Sequence, residues 1–188
     1  MAEDWPKITG RSRKKISPWI DLIEREVEFT EGAPLELYHA VGQADYIAIV
    51  ALTPDGHLPI VRQYRPAVER FTWELPAGMV DPGEDAAACC VRELAEETGL
   101  AAARVHALGT YSPCTARLSN RVHSFFVETG PAAEARESEP GIEVRLVTLA
   151  QLGGLIHSGE FVLQLHLGAL LLAGMAGHLD LATLAAAG

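Results

Sequence analysis

Basic residues are in short supply. Lysine and arginine number 15 against 25 aspartates and glutamates in 188 residues, a formal net charge of −10. That balance excludes function through nonspecific attraction to nucleic acid or to an anionic membrane, and a phosphate ligand would need a local source of positive charge. Cysteine is equally scarce. Cys89, Cys90 and Cys114 include one adjacent pair and no C-x-x-C spacing, which speaks against a disulfide framework or a cysteine-held zinc and fits a reducing cytoplasm. The seven histidines are scattered without a ligand-like pair, so histidine metal ligation has little support. No basic-then-apolar leader opens the chain, which begins Met-Ala-Glu-Asp-Trp-Pro. The longest apolar stretch, residues 161–176, is interrupted by Gln164 and His166. It is short for a bilayer span and reads as a buried core helix, so a soluble protein is expected.

What is present is the profile of one globular domain, with 48% hydrophobic and 21% charged residues. Residues 1–15 carry Lys7, Arg11, Arg13, Lys14 and Lys15 without apolar periodicity, and a mobile, solvated arm is expected there. Alternating patterns over 19–29 and 35–41, separated by Gly32-Ala33-Pro34, predict a hairpin within residues 16–42. A second hairpin is predicted over 46–52 and 58–64, around the turn signal Pro54-Asp55-Gly56. After Pro82-Gly83-Glu84 the apolar residues Ala86, Ala87, Cys90, Val91, Leu94 and Ala95 recur at helical spacing up to Thr98, and Gly99 follows as a helix stop. Strands return at 105–111, 122–127 and 142–149, a loop is expected between Gly130 and Gly141, and helices are predicted over 149–157 and 160–176. Strands first, one helix in the middle and helices at the end make an α+β domain over residues 43–188.

The chemistry concentrates in residues 78–100. On the predicted helix Glu93, Glu96 and Glu97 lie three and four residues apart and share a face. Three like charges near a helix C-terminus, where the dipole is also negative, repel one another unless a cation resolves the conflict. A hard divalent ion such as Mg²⁺ takes a few carboxylates and leaves positions for water and phosphate, so it suits this set and would turn an acidic patch into a diphosphate acceptor. Arg92, off that face by sequence, is placed to pair with Glu84 or to orient a ligand indirectly.

Residues 78–100 match G-x5-E-x7-R-E-U-x-E-E-x-G-U at every defined position, with Gly78, Glu84, Arg92, Glu93, Leu94, Glu96, Glu97, Gly99 and Leu100 in those places. The segment resembles the Nudix box. The resemblance implies a Nudix-type α/β/α sandwich with a mixed sheet, a box that binds Mg²⁺ or Mn²⁺, and hydrolysis of a nucleoside diphosphate linked to another moiety. Arg62-Gln63-Tyr64-Arg65-Pro66, Trp73-Glu74-Leu75-Pro76-Ala77-Gly78 and Leu118-Ser119-Asn120-Arg121-Val122-His123 extend the likeness to the ADP-ribose pyrophosphatase or nucleotide-sugar hydrolase branch. That branch implies metal ligation by the Ala77 carbonyl, Glu93, Glu96 and Glu97, and substrate contacts at Arg65, Glu74 and Gly78. Arginine suits such a role because its planar, permanently charged fork fits phosphate oxygens. The branch further implies an N-terminal hairpin exchanged in a homodimer, with Trp19 and Tyr38 stacking on the base.

The residue that activates water is the open point. In this branch it is often a glutamate two positions before an I/V-x-V strand start, and here that position, before Ile142-Glu143-Val144, is Pro140. Glu139 and Glu137 are adjacent, and Glu96 and Glu97 in the box are the alternatives. The expected function is Mg²⁺-dependent hydrolysis of ADP-ribose or a related nucleoside diphosphate sugar. A noncatalytic nucleotide-sugar sensor and a nucleoside triphosphate pyrophosphatase are the competing readings, the first weakened by an intact set of box carboxylates.

Overall fold

The computed structural model describes residues 5–130 and 141–186. Two compact units divide the chain as Met1–Asp45 with Ser112–Arg121 and Tyr46–Tyr111 with Val122–Gly188.

The first unit is a three-stranded antiparallel sheet in the order β1 (Lys7–Lys15), β2 (Asp21–Glu28), β3 (Glu36–Gly42). Its first strand places Lys7–Lys15 of the expected mobile arm in a sheet, while residues 1–4 lie outside the described residues. β1 has no apolar stripe because polar cross-strand contacts take the place of burial: Arg13 Nε meets Asp21 at 2.6 Å and Ser12 donates to Glu24. The turn at Ser17-Pro18-Trp19, closed by Ile16 and Ser17 amides on the Ile20 carbonyl, starts β2 at Asp21 rather than at residue 19. Ile23 and Val27 of β2 are buried. Residues of the 112–121 segment line the free edge of β3, where the Val41 amide donates to Arg117 at 2.7 Å and the Ser119 amide to Val41 at 3.1 Å.

The second unit contains β4 (Tyr46–Leu52), β5 (Leu58–Arg65), β6 (Arg70–Glu74), β7 (Ala77–Met79), α1 (Ala86–Thr98), β8 (Ala102–Tyr111), β9 (Val122–Thr129), β10 (Glu143–Val147), α2 (Leu149–His157), α3 (Gln164–Met175) and α4 (Leu181–Ala185). Four strands form a mixed sheet in the order β7-β4-β9-β8, with β4 and β9 parallel; the other sheet is β10-β5-β6. The alternation of β4 explains the layering. Ile47, Ile49 and Ala51 pack with Cys89, Cys90 and Leu94 of α1, whereas Ala48 and Val50 face Leu152 of α2 and Ala169, Leu170 and Ala173 of α3. A strand sealed on both sides reads as a continuous apolar run, and each fully buried Ile contributes about 1.5–3 kcal/mol. The result is the expected α+β fold, an α/β/α sandwich around a mixed sheet.

Both ends of α1 are fixed by local chemistry. Asp85 caps the start, accepting from the amides of Ala87 at 2.9 Å and Ala88 at 3.2 Å, and Gly99 at φ 71° ends it in the left-handed conformation. α3 begins at Gln164, later than predicted, because Glu160 and Phe161 are extended against β6: the Trp73 amide donates to Glu160 at 3.0 Å and Trp73 bridges Phe161. Among the described residues no helix is long and apolar enough to cross a membrane.

Candidate active site

The short strand β7 brings the glycine of the box under its helix. Gly78 pairs with Ile47 of β4, so its missing side chain would point to the layer of α1. A Cβ there would lie 2.0 Å from Cδ of Glu93, and the carboxylate of Glu93 therefore occupies the space that glycine leaves. One turn further along, Glu97 is only 5% exposed and its Oε2 accepts the Ala77 amide at 3.0 Å. Helix and strand thus hold Ala77, Gly78, Glu93 and Glu97 together. Glu96, whose side chain is 55% exposed, faces solvent.

Arg92 neutralises part of this acidity. Its Nε and Nη2 bind Glu84 at 3.0 and 2.9 Å, while Nη1 lies 2.8 Å from Glu93 and 3.0 Å from Glu96. The long side chain reaches from its own face back to both carboxylates, beyond the Glu84 pairing anticipated from sequence. Hydrogen bonds from Arg92 and from the Asp81 amide hold the Glu84 carboxyl far down, at about 2. The same contacts push the Arg92 guanidinium above its usual range.

The β5–β6 hairpin adds the cation. Thr72 and Glu74 share one face of β6, and Arg65 lies on the matching face of β5. Arg65 Nε and Nη2 meet the two Glu74 oxygens at 2.9 and 2.6 Å, a bidentate pair, and Thr72 Oγ1 donates to Glu74 at 2.6 Å. Burial opposes ionisation of Glu74 more than any single contact favours it. The Arg65 and Thr72 hydrogen bonds together still hold its carboxyl below the usual range. Arg65 in turn is pushed up by Glu74, with a smaller contribution from the charge of Glu97. Glu74, 2% exposed, is therefore the anchor of Arg65.

The other sequence-derived candidates belong to other parts of the chain. Trp19, 64% exposed in the β1–β2 turn, and Tyr38 of β3 belong to the first unit. Tyr38 donates its hydroxyl to the Ala116 carbonyl, and the Arg117 guanidinium stands 5.1 Å from its ring centre. A cleft of about 320 Å³ is lined there by Leu22, Leu37, Tyr38, His39 and Arg117, among others. Glu137, Glu139 and Pro140 fall outside the described residues. Cys89 and Cys90 are buried against β4 with thiols pushed up to about 12, chiefly by burial, as befits packing residues. Thr72 and His166 were missed. Thr72 was legible as the residue two before Glu74 on a strand; His166, which accepts the Leu75 amide at 3.0 Å from 91 residues away, left no sequence signal.

Among the described residues no three of His, Cys, Asp and Glu are already gathered at metal-ligand spacing. Arg92 stands between Glu93 and Glu96 instead. The donor set nonetheless suits a hard divalent cation: a backbone carbonyl at Ala77 and the carboxylates of Glu93, Glu96 and Glu97, all oxygen donors.

The chain belongs to the Nudix family, matching its NUDIX domain over residues 43–164, and is a hydrolase acting on phosphoric anhydrides. Members of the family generally use divalent metal ions. Within it the chain falls in the ADP-ribose pyrophosphatase branch. It is 30% identical over 144 residues to the ADP-ribose pyrophosphatase of Bacillus subtilis (strain 168), covering 75% of this chain and 77% of that one. It is 28% identical over 159 residues to the CMP-5'-(N-acetyl-N-hydroxy-3-aminopropyl)phosphonate hydrolase of Streptomyces rubellomurinus (strain ATCC 31215), covering 81% and 75%. The crystal structure of an ADP compounds hydrolase shares the fold, with a TM-score of 0.75 at 23% identity over 93% of this chain and 97% of that one.

Proposed function

We propose that the protein hydrolyses the diphosphate bond of ADP-ribose or a related nucleoside diphosphate sugar, giving a nucleoside monophosphate and a sugar phosphate. The observation that carries this reading is the joining of Glu93 and Glu97 to the Ala77-Gly78 strand, with Arg65 anchored close enough to feel the charge of Glu97. The likeness to the Bacillus subtilis enzyme supports the substrate class.

The Ala77 carbonyl, Glu93, Glu96 and Glu97 would hold Mg²⁺ or Mn²⁺, which supplies charge for the diphosphate oxygens and lowers the pKa of bound water. Arg65 does the positioning. Glu74 occupies its Nε and one side of Nη2, which leaves the outer N–H groups of a guanidinium whose side chain is 41% exposed to meet phosphate oxygens in a fixed orientation. Water adds to one phosphorus, the bridging P–O bond breaks, and the departing phosphate keeps the electron pair. The proton lost by the water passes to a carboxylate: Glu96, the exposed box residue, Glu97, or Glu139. Trp19 and Tyr38 stack on the base in a homodimer that exchanges the N-terminal hairpin, and the enzyme works in the cytoplasm.

A panel of ADP-ribose, ADP-glucose, GDP-mannose, UDP-glucose and deoxynucleoside triphosphates, with Mg²⁺ and product identification, tests the reading. Turnover of ADP-ribose to AMP and ribose 5-phosphate is expected. Preference for the triphosphates, or binding of nucleotide sugars without turnover, would overturn it. Glu→Gln variants at positions 96, 97 and 139 identify the base as the one whose loss removes the acidic limb of the dependence of kcat on pH. Light scattering of the purified chain tests the dimer.

A further inference from the structure

The segment 73–77, which joins β6 to β7, runs between the anchor of Arg65 and the proposed carbonyl ligand. Along its edge facing away from β5, three alternate amides find three kinds of acceptor, each at 3.0 Å. Trp73 donates to the Glu160 carbonyl, Leu75 to Nδ1 of His166, and Ala77 to Oε2 of Glu97. The first is a main-chain pairing that Phe161 continues. By Leu75 the opposing chain has turned into α3, whose carbonyls point along the helix. An imidazole from the first turn of that helix replaces the missing strand partner.

We propose that His166 is a positioning residue of the active site: its Nδ1 fixes the Leu75 amide and with it the spacing between Glu74, which aims Arg65, and Ala77, which offers its carbonyl to the metal. The inference rests on the hydrolase reading above for its consequence in turnover, and on this chain's own geometry for the contact.

Packing alone does not explain this histidine. The side chain is 0% exposed, in a core shared with Leu75, Phe161, Ala169 and Leu170. Accepting at Nδ1 places the ring proton on Nε2, which is buried and has no partner among the described residues. An unpaired buried donor is destabilising, and a leucine would fill similar space without that penalty. The feature an apolar residue cannot reproduce is the acceptor at Nδ1. Burial pushes the imidazole down to about 4, with Glu74 opposing and Arg65 assisting, so the ring keeps that lone pair free near neutral pH.

Full-length His166→Asn and His166→Leu form the test. Asparagine carries a carbonyl oxygen near the place of Nδ1, and leucine carries no acceptor. Hydrogen–deuterium exchange of the 73–77 segment, without metal or substrate, is expected to quicken at least ~10-fold in His166→Leu and to stay within ~3-fold of wild type in His166→Asn. With Mg²⁺ and ADP-ribose, kcat is expected to fall about 10–100-fold in His166→Leu with KM changed less than ~3-fold, and to recover in His166→Asn. Wild-type protection and kcat in His166→Leu overturn the proposal, as does an asparagine variant no better than leucine in both readouts. Should His166→Leu not fold, His166→Phe, which keeps a planar ring but carries no acceptor, takes its place with the same expectation, and wild-type values there also overturn the proposal. A wild-type chain that turns over no substrate contradicts the hydrolase reading, while the exchange comparison still decides the role of His166 in holding the segment.

Discussion

Replacing Gly78 with alanine drives a methyl group into the carboxylate of Glu93. The added Cβ would stand 2.0 Å from Cδ, 2.1 Å from Oε1 and 2.5 Å from Cγ. Nonbonded carbons need about 3.5 Å, so the carboxyl carbon has to withdraw by roughly 1.5 Å. Backbone strain does not enter, because Gly78 is not among the positive-φ glycines. Glu93 is the far end of a flexible side chain, and it can swing aside at small cost in stability, about 1 kcal/mol or less. What it cannot do is swing aside and keep its place beside Ala77. Misplacing a reacting group by about 1 Å costs on the order of 10²-fold in rate, equivalent to roughly 2.7 kcal/mol in the transition state. The assay is steady-state hydrolysis of ADP-ribose with Mg²⁺ alongside urea unfolding. Gly83→Ala is the matched control, since Gly83 has φ 85° and no atom within 4 Å of its added Cβ. It is expected to lose about 1 kcal/mol of stability through left-handed backbone strain and no activity. Wild-type kcat in a folded Gly78→Ala would refute the assignment of Glu93 to the position over β7.

Three further outcomes follow from the same geometry. Glu97→Gln keeps an oxygen for the Ala77 amide but removes the charge, so stability should change by no more than about 1 kcal/mol while kcat falls at least ~10²-fold, measured by urea unfolding and product release. Glu74→Gln breaks a pair whose arginine is half exposed, and a loss of about 1–3 kcal/mol at pH 7 is expected. Because the Glu74 carboxyl lies below its ordinary value of 4.5, the difference between wild type and Glu74→Gln should be constant above about pH 5 and shrink as pH falls through and below the ordinary carboxylate range. His166 works in the same direction over a different window. With its imidazole moved from 6.5 to about 4, the unfolded chain binds the proton first as pH drops. Wild type should therefore lose roughly 3 kcal/mol relative to His166→Asn between pH 6.5 and 4, read from denaturation at several pH values.

The parts of the fold and site visible in the sequence are those encoded by local spacing. Three glutamates at helical intervals, Asp85 before the helix and Gly99 after it define α1 and its acidic face without reference to any other segment. The apolar runs of β4 and β5 were equally plain. β1 was hidden because its partner strand is acidic, and charge pairing such as Arg13–Asp21 substitutes for the apolar alternation by which strands are recognised. β6 and β7 are too short and too interrupted by Pro76 to show a period. The delayed start of α3 depends on Trp73, some ninety positions earlier in the chain, drawing Glu160 and Phe161 into an extended pairing. The pairing of Glu74 was not legible: whether a carboxylate meets a ligand or a neighbouring arginine depends on the register of the β5–β6 hairpin, which places Thr72, Glu74 and Arg65 on one face. The same long-range dependence hid His166.

The central claim is that the α1 carboxylates, Ala77 and Arg65 make one hydrolytic site for a nucleoside diphosphate sugar. Its most direct test is the Mg²⁺-dependent appearance of AMP and ribose 5-phosphate from ADP-ribose, measured side by side with the purified wild type and Glu97→Gln. Equimolar products from the wild type, abolished by chelation and reduced at least ~10²-fold in the variant, are predicted. Equal rates in the two proteins, or no AMP from the wild type at any Mg²⁺ concentration, would contradict the account.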